Sequence, residues 1–295
     1  MPTMRPTTID EMRRGMQGFA TDEGVRRGLS YMPSATDIFI SPYAKCGTTW
    51  MQQIVHGLRA GGSMEFDEIT EVVPWLELAY DMGIDVNAPQ AAHPRVFKSH
   101  LSWDQIPKGG RYIVVFRDPI DAMVSLYRFF EGWHFETGAI QLSDFAESFL
   151  TRDDDQSYWG HACSWWRQRG RSDVLMFSFE QMKRDLAGAV DTVADFMDGQ
   201  IGRETRNLAT RQASFEFMKR YGEKFDDHLV RQTRDAACGL PPGGVSTKVA
   251  RGETGLGAPL VTQEIRVKFA ARWRETMTDE FGLASYNDLV LELSR

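Results

Sequence analysis

Cysteine is scarce: Cys46, Cys163 and Cys238 are the only three in 295 residues. Their odd number and wide spacing argue against a disulfide framework or a zinc site and leave free thiols. No apolar run approaches the roughly 18 residues that a bilayer-spanning helix requires, which excludes a membrane span. Behind Arg5, Arg13 and Arg14 there is no apolar stretch of about 7–15 residues, so the amino terminus lacks the pattern of a secretory signal and a cytoplasmic protein is expected. The net charge is −7 and comes without the clustered Lys and Arg that neutralise a polynucleotide, so no nucleic-acid partner is expected. No Gly-Lys dipeptide occurs anywhere. The nucleotide-triphosphatase loop, in which Lys follows the second Gly and a Ser or Thr then holds magnesium, is therefore missing.

What the chain does have is an ordinary globular composition, 42% hydrophobic, 25% charged and 12% aromatic, at a length that suits one large core. Three short apolar segments read as buried strands: Asp37–Ser41, Tyr112–Phe116 and Val174–Ser178, with Arg95–Lys98 as a weaker fourth. Helical periodicity covers Gly47–Arg59, Ile120–Phe130, Leu142–Leu150, Tyr158–Arg169, Gln181–Met197 and about Thr262–Phe281. Strands alternating with helices predict an α/β fold with a central parallel sheet. Ligands bind such sheets beyond the carboxyl ends of the strands, where Pro42–Thr49, Ser99–Leu101 and Arg117–Pro119 fall. Residues 1–34 read as a partly helical extension before a single domain spanning 35–295. Cys238–Gly244 lacks periodicity and reads as a mobile loop or lid.

Three motifs carry candidate chemistry. Lys45-Cys46-Gly47-Thr48-Thr49-Trp50 joins a strand to a helix. Gly47 removes a side chain where backbone must approach an anion, the helix start supplies free N–H groups and positive dipole, and Lys45 adds a full charge. This loop predicts a phosphate site without a metal ligand. Lys98 and His100, two apart on an extended segment, share one face and suit an ammonium paired with a general base. Arg117 offers a planar fork to phosphate oxygens, and Ser125 follows eight residues later on a helix; Arg117 can equally pair with Asp118 or Asp121. Phe215 and Trp50 are each either core aromatics or platforms for a base. His56, His93, His134, His161 and His228 show no metal-ligand spacing and read as surface or packing residues.

In this order and spacing, Tyr43-Ala44-Lys45-Cys46-Gly47-Thr48-Thr49-Trp50, Lys98-Ser99-His100-Leu101, Arg117 with Ser125, Ser164-Trp165-Trp166 and Phe215 together resemble the cytosolic sulfotransferases. The resemblance covers roughly residues 35–285. It implies that 3′-phosphoadenosine 5′-phosphosulfate (PAPS) is the sulfonate donor and that no metal is needed. It also implies His100 as the base for an acceptor hydroxyl or amine, with Lys45 and Lys98 steadying the departing phosphate. The loop Lys45, Cys46, Gly47, Thr48, Thr49 would hold the 5′ end of the donor. Arg117, Ser125, Arg251 and Gly252 would hold its 3′-phosphate. Trp50 and Phe215 would enclose the adenine, with Phe179 beside the nucleotide.

The chain departs from the family pattern at Ala250, where an Arg is usual, at Phe179, where a Tyr is usual, at Ala213 in place of a Thr, and at Gly255-Leu256-Gly257. A carboxyl-terminal Lys-Thr-Val dimer motif is not recognisable, so monomer and homodimer both stand. The alternatives are a magnesium-dependent nucleotide kinase on a similar loop and sheet, and a nucleotide-binding module without catalysis. Trp75, Tyr80, Phe129, Phe130, Trp133 and Phe135 flank the motifs and predict an apolar pocket for a small-molecule acceptor.

Overall fold

The computed structural model describes residues 4–152, 157–197, 200–245, 248, 255 and 257–294. Two short helices open the chain, α1 (Ile9–Met16) and α2 (Asp22–Leu29). Thr8 and Glu11 close a capping box at the first, and the Thr21 side chain accepts the Gly24 amide at the second. Four strands follow, interleaved with helices: β1 (Ile38–Ile40), β2 (Val96–Lys98), β3 (Arg111–Phe116) and β4 (Val174–Ser178). They form one parallel sheet in the order β2-β1-β3-β4, with Ile38 opposite both Val96 and Arg111 and Phe116 opposite Ser178. The expected parallel α/β fold is therefore present, and the fourth candidate strand is real.

The sheet is covered on both faces, which explains why its strands are apolar throughout. Side chains alternate: Phe39, Phe97, Tyr112, Val114 and Phe116 enter one core cluster, while Ile38, Ile40, Val96, Ile113 and Val115 enter the other. Every strand delivers its carboxyl end to the same edge. There β1 runs into the loop before α3 (Thr48–Arg59), β3 into Arg117 and α4 (Pro119–Phe130), and β4 directly into α5 (Phe179–Arg184).

The helix expected over Gln181–Met197 is in fact two, α5 and Leu186–Met197. Asp185 leaves the helical region at φ −141°, ψ 80°, and its carboxylate accepts the Gly188 amide at 2.8 Å, capping the second helix. The closing helix starts at Gln263 and passes through a π-helical turn at Arg274–Thr278. Further on lie α6 (Phe215–Arg220) and α7 (His228–Arg234). The amino-terminal segment is tied to this part of the chain: Arg234 donates to the carbonyls of Gly18 at 2.6 Å and Phe19 at 2.8 Å. Cys238 and Leu240, in the segment expected to be a lid, are buried in a small cluster with Leu78 and Trp133.

Candidate functional site

At the carboxyl edge of the sheet opens a cavity of about 1180 Å³. One half is polar and receives the loop after β1. Gly47 stands at the helix start with φ 96°, a left-handed conformation that favours glycine, and no side chain caps the first turn of α3. The amino-terminal N–H groups of α3 are thus left for a ligand. A Cβ on Gly47 would lie 3.3 Å from the Phe179 ring, so the loop and α5 also pack closely here. Lys45 has φ 66°, and Arg117 braces that turn by donating to the Lys45 carbonyl at 3.0 Å. The Arg117 guanidinium lies 4.6 Å from the centre of the Phe179 ring, and the Tyr158 hydroxyl donates to the Arg117 carbonyl.

Lys45, Gly47, Thr48, Thr49, Trp50, Arg117, Ser125, Phe179 and Phe215 all line the cavity. Trp50 donates its indole N–H to the Ala213 carbonyl at 2.8 Å and lies 5.3 Å from Phe179. Phe215 opens α6, whose first turn is capped by Ser214. Cys46 is not brought to the cavity: its side chain is in the core and its amide already donates to Tyr43. Arg251, Gly252 and Ala250 lie outside the described residues. Nearby, the amides of Gly255 and Gly257 donate to the two oxygens of Asp121 on α4, at 2.6 and 2.8 Å.

Lys98 and His100 enter from the end of β2. The Lys98 ammonium is 3.5 Å from the centre of the Trp75 ring, and the edge of that ring meets His100. The His100 amide donates to Glu77 at 2.7 Å, and its Nδ1 stands 2.8 Å from the Pro42 carbonyl. Burial, reinforced by the Lys98 charge, pushes the His100 imidazole down to about 3, so it is neutral at ordinary pH. Burial and then the charge of Lys248 bring Lys45 down to about 7 and Lys98 to about 8. Burial pushes the Glu77 carboxyl up.

The other half of the cavity is apolar. Trp75, Phe129, Phe130 and Trp133 line it as expected, whereas exposed Tyr80 and fully buried Phe135 do not. Met12, Met16, Phe19 and Val25 of the amino-terminal segment complete the wall. Sequence reasoning missed these residues, and it missed Glu77, Asp227, Lys248 and His134 as cavity residues. The spacing of Met12, Met16 and Phe19 was the available signal for the first group. No local signal marked the others.

A nucleotide donor fits this site on two counts. The buried Thr48 hydroxyl and Arg117 Nε have no hydrogen-bond partner among the described residues, and both stand where an anion would supply acceptors. Among the described residues, no three His, Cys, Asp or Glu side chains group as metal ligands.

Residues 35–279 match the Sulfotransferase domain family. Rat sulfotransferase 2B1 (Rattus norvegicus) is 29% identical over 62% of this chain and 56% of its own length, and rabbit amine sulfotransferase (Oryctolagus cuniculus) 30% over 62% and 63%. The chain thus spans less than two thirds of either relative. Dog sulfotransferase 1B1 (Canis lupus familiaris) is 30% identical over 67% of this chain and 69% of its own. A solved retinol dehydratase in complex with androsterone and inactive cofactor PAP has the same fold at a TM-score of 0.72, with 17% identity over 95% of this chain and 98% of that one. A mouse sulfotransferase complexed with PAP superposes at 0.68, with 18% identity over 94% and 93%. The chain belongs to the sulfotransferase family.

Proposed function

We propose that the chain transfers a sulfonate group from PAPS to a hydroxyl or amine of a small apolar or aromatic acceptor, with His100 as general base. One observation carries this reading. The Lys45 loop, the Lys98/His100 pair and the Arg117/Ser125 pair lie at or beyond the ends of three different strands, yet line one cavity together with Trp75, Phe129, Phe130 and Trp133. Such a site needs no metal, because the charge that develops on the departing phosphate is met by fixed ammonium groups.

The tautomer of His100 fits the role. A carbonyl only accepts, so the contact with Pro42 places the proton on Nδ1 and leaves the Nε2 lone pair to take the acceptor proton. As the acceptor oxygen bonds to sulfur, the sulfur–oxygen bond to the 5′-phosphate breaks and its electron pair leaves on phosphate. PAP and the sulfated acceptor are the products, and Lys45 and Lys98 would carry the phosphate charge. Thr48 and the amides of the α3 amino terminus would hold the 5′ end of the donor, Arg117 and Ser125 the 3′-phosphate, and Trp50 and Phe215 the adenine. The PAP-bound relatives of the same fold support this choice of donor.

The test is transfer of labelled sulfonate from PAPS to a panel of phenols, alcohols and amines. Turnover without added metal is the expected result. Folded protein that binds PAP yet labels no acceptor would sink the catalytic reading, and magnesium-dependent consumption of ATP would replace it with a kinase.

A further inference from the structure

In the same cavity as Lys45 and Lys98, the wall contains an ion pair that the reaction as described does not use. The Lys248 ammonium is paired with the Asp227 carboxylate, both line the cavity, and their side chains are only 8% and 2% exposed. Asp227 holds this position with φ 60°, ahead of α7. Among the described residues, Lys45 and Asp227 are the two non-glycine residues with positive φ, and both meet in this cavity. Backbone held in that region is unfavourable for a non-glycine residue and persists where the surroundings enforce it, typically at functional sites.

The charges around the pair do not balance. Lys248, Lys98 and Lys45 hold the Asp227 carboxylate below the usual range against the effect of burial, and Asp121, which also lines the cavity, is taken up by the Gly255 and Gly257 amides. Burial raises the carboxyls of Glu68 and Glu77, and neither oxygen of Glu68 has a hydrogen-bond partner among the described residues. His100 is neutral. Lys248 is the largest charge acting on both Lys45 and Lys98. Buried cations in excess call for an anion with several negative oxygens.

We propose that Lys248 is a third cation of the transfer site, contacting the sulfonate while Lys45 and Lys98 take the phosphate, and that Asp227 is its positioning residue. This rests on the sulfonate-transfer reading above. As the sulfonate passes to the acceptor oxygen, Lys248 keeps its oxygens neutralised without accepting or losing a proton, so the balance of the step is unchanged.

The experiment compares the full chain with Lys248→Met and Asp227→Asn. PAP binding is followed by calorimetry between about pH 6 and about pH 9, and transfer from PAPS to a simple phenol is followed in parallel. Lys248→Met is expected to lower kcat about 100-fold. Removing the like charge also lets Lys45 and Lys98 titrate higher, moving the pH midpoint of PAP binding up by roughly 0.5–1 unit. Asp227→Asn should cost about tenfold in kcat, because Lys248 keeps its charge and loses only its anchor. An unmoved midpoint, or a kcat within about twofold of the parent, overturns the proposal, since a purely structural residue lowers the melting temperature alone. If Lys248→Met does not fold, Lys248→Gln of similar length gives the same two readouts. Lys248→Met should also weaken PAPS binding about tenfold more than PAP binding, which is read without turnover, so an inactive parent chain would remove the transferase reading and still leave the sulfonate contact tested.

Discussion

His100 Nδ1 lies 2.8 Å from the carbonyl oxygen of Pro42, so the segment that leads into the Lys45 loop also fixes the ring at the end of β2. In the proposed reaction a single backbone group would thereby link the donor loop to the base. If Nε2 is the base, replacing His100 by Ala should lower kcat by about 100- to 10,000-fold. PAP affinity should stay within about threefold, because no phosphate contact depends on the ring. Stopped sulfonate transfer beside calorimetric PAP binding separates the two. A comparable loss in both would make His100 a ligand contact.

Nucleotide affinity should depend on pH through Lys45, held at about 7, and Lys98, held at about 8. A bound polyanion favours the ammonium forms, so the complex carries more protons than the free chain and affinity rises as pH falls. Below about 7 both groups are charged and affinity should level off. Between about 7 and 8 it should weaken by up to about tenfold per unit, and more steeply above, where two protons must be recruited. His100, at about 3, stays neutral throughout and contributes nothing. Calorimetry in two buffers of different ionisation enthalpy would read the proton uptake. A flat profile from about pH 6 to about pH 9 contradicts the assignment of these two cations to the anion site.

Phe215 lines the cavity and lies outside the core clusters formed by the described residues, with the Lys219 ammonium 5.7 Å from its ring centre. As an adenine platform it is worth roughly 1–3 kcal/mol of stacking. Phe215→Ala should weaken PAP binding by about 5- to 150-fold while the melting temperature barely moves. The reverse pattern, a destabilised protein with unchanged affinity, would return Phe215 to the core.

The parts of this site that could be read from the sequence are those whose residues are contiguous. The Lys45 loop, Lys98/His100 and Arg117 each sit at or just after a strand end, with Ser125 on the helix after Arg117, and a parallel sheet gathers such ends on one edge whatever the details of packing. Asp227 and Lys248 had no such rule, because each reaches the cavity through tertiary approach. Asp185 was hidden differently: Met182, Leu186, Ala189, Val190 and Val193 keep helical spacing across it, so periodicity alone reads one helix. The basic Lys183 and Arg184 before it, and its own capping side chain, mark the break. Cys46 lies in the loop by sequence, yet its side chain enters the core.

The amino-terminal segment supplies the last expected outcome. Phe19 packs with its ring centre 5.5 Å from that of Trp75, 6.2 Å from Trp133 and 5.8 Å from His134. Its carbonyl is held by Arg234. It therefore belongs to the apolar half of the cavity, far along the chain from the donor loop. Burying a phenylalanine contributes about 1.5–3 kcal/mol, so Phe19→Ala should raise the acceptor KM by roughly 10- to 150-fold. The KM for PAPS should hold, since the donor half keeps every contact. Steady-state kinetics with each substrate varied in turn measures both constants. A parallel rise in the two would mean that the segment supports the fold as a whole, and an unchanged acceptor KM would remove Phe19 from the acceptor wall.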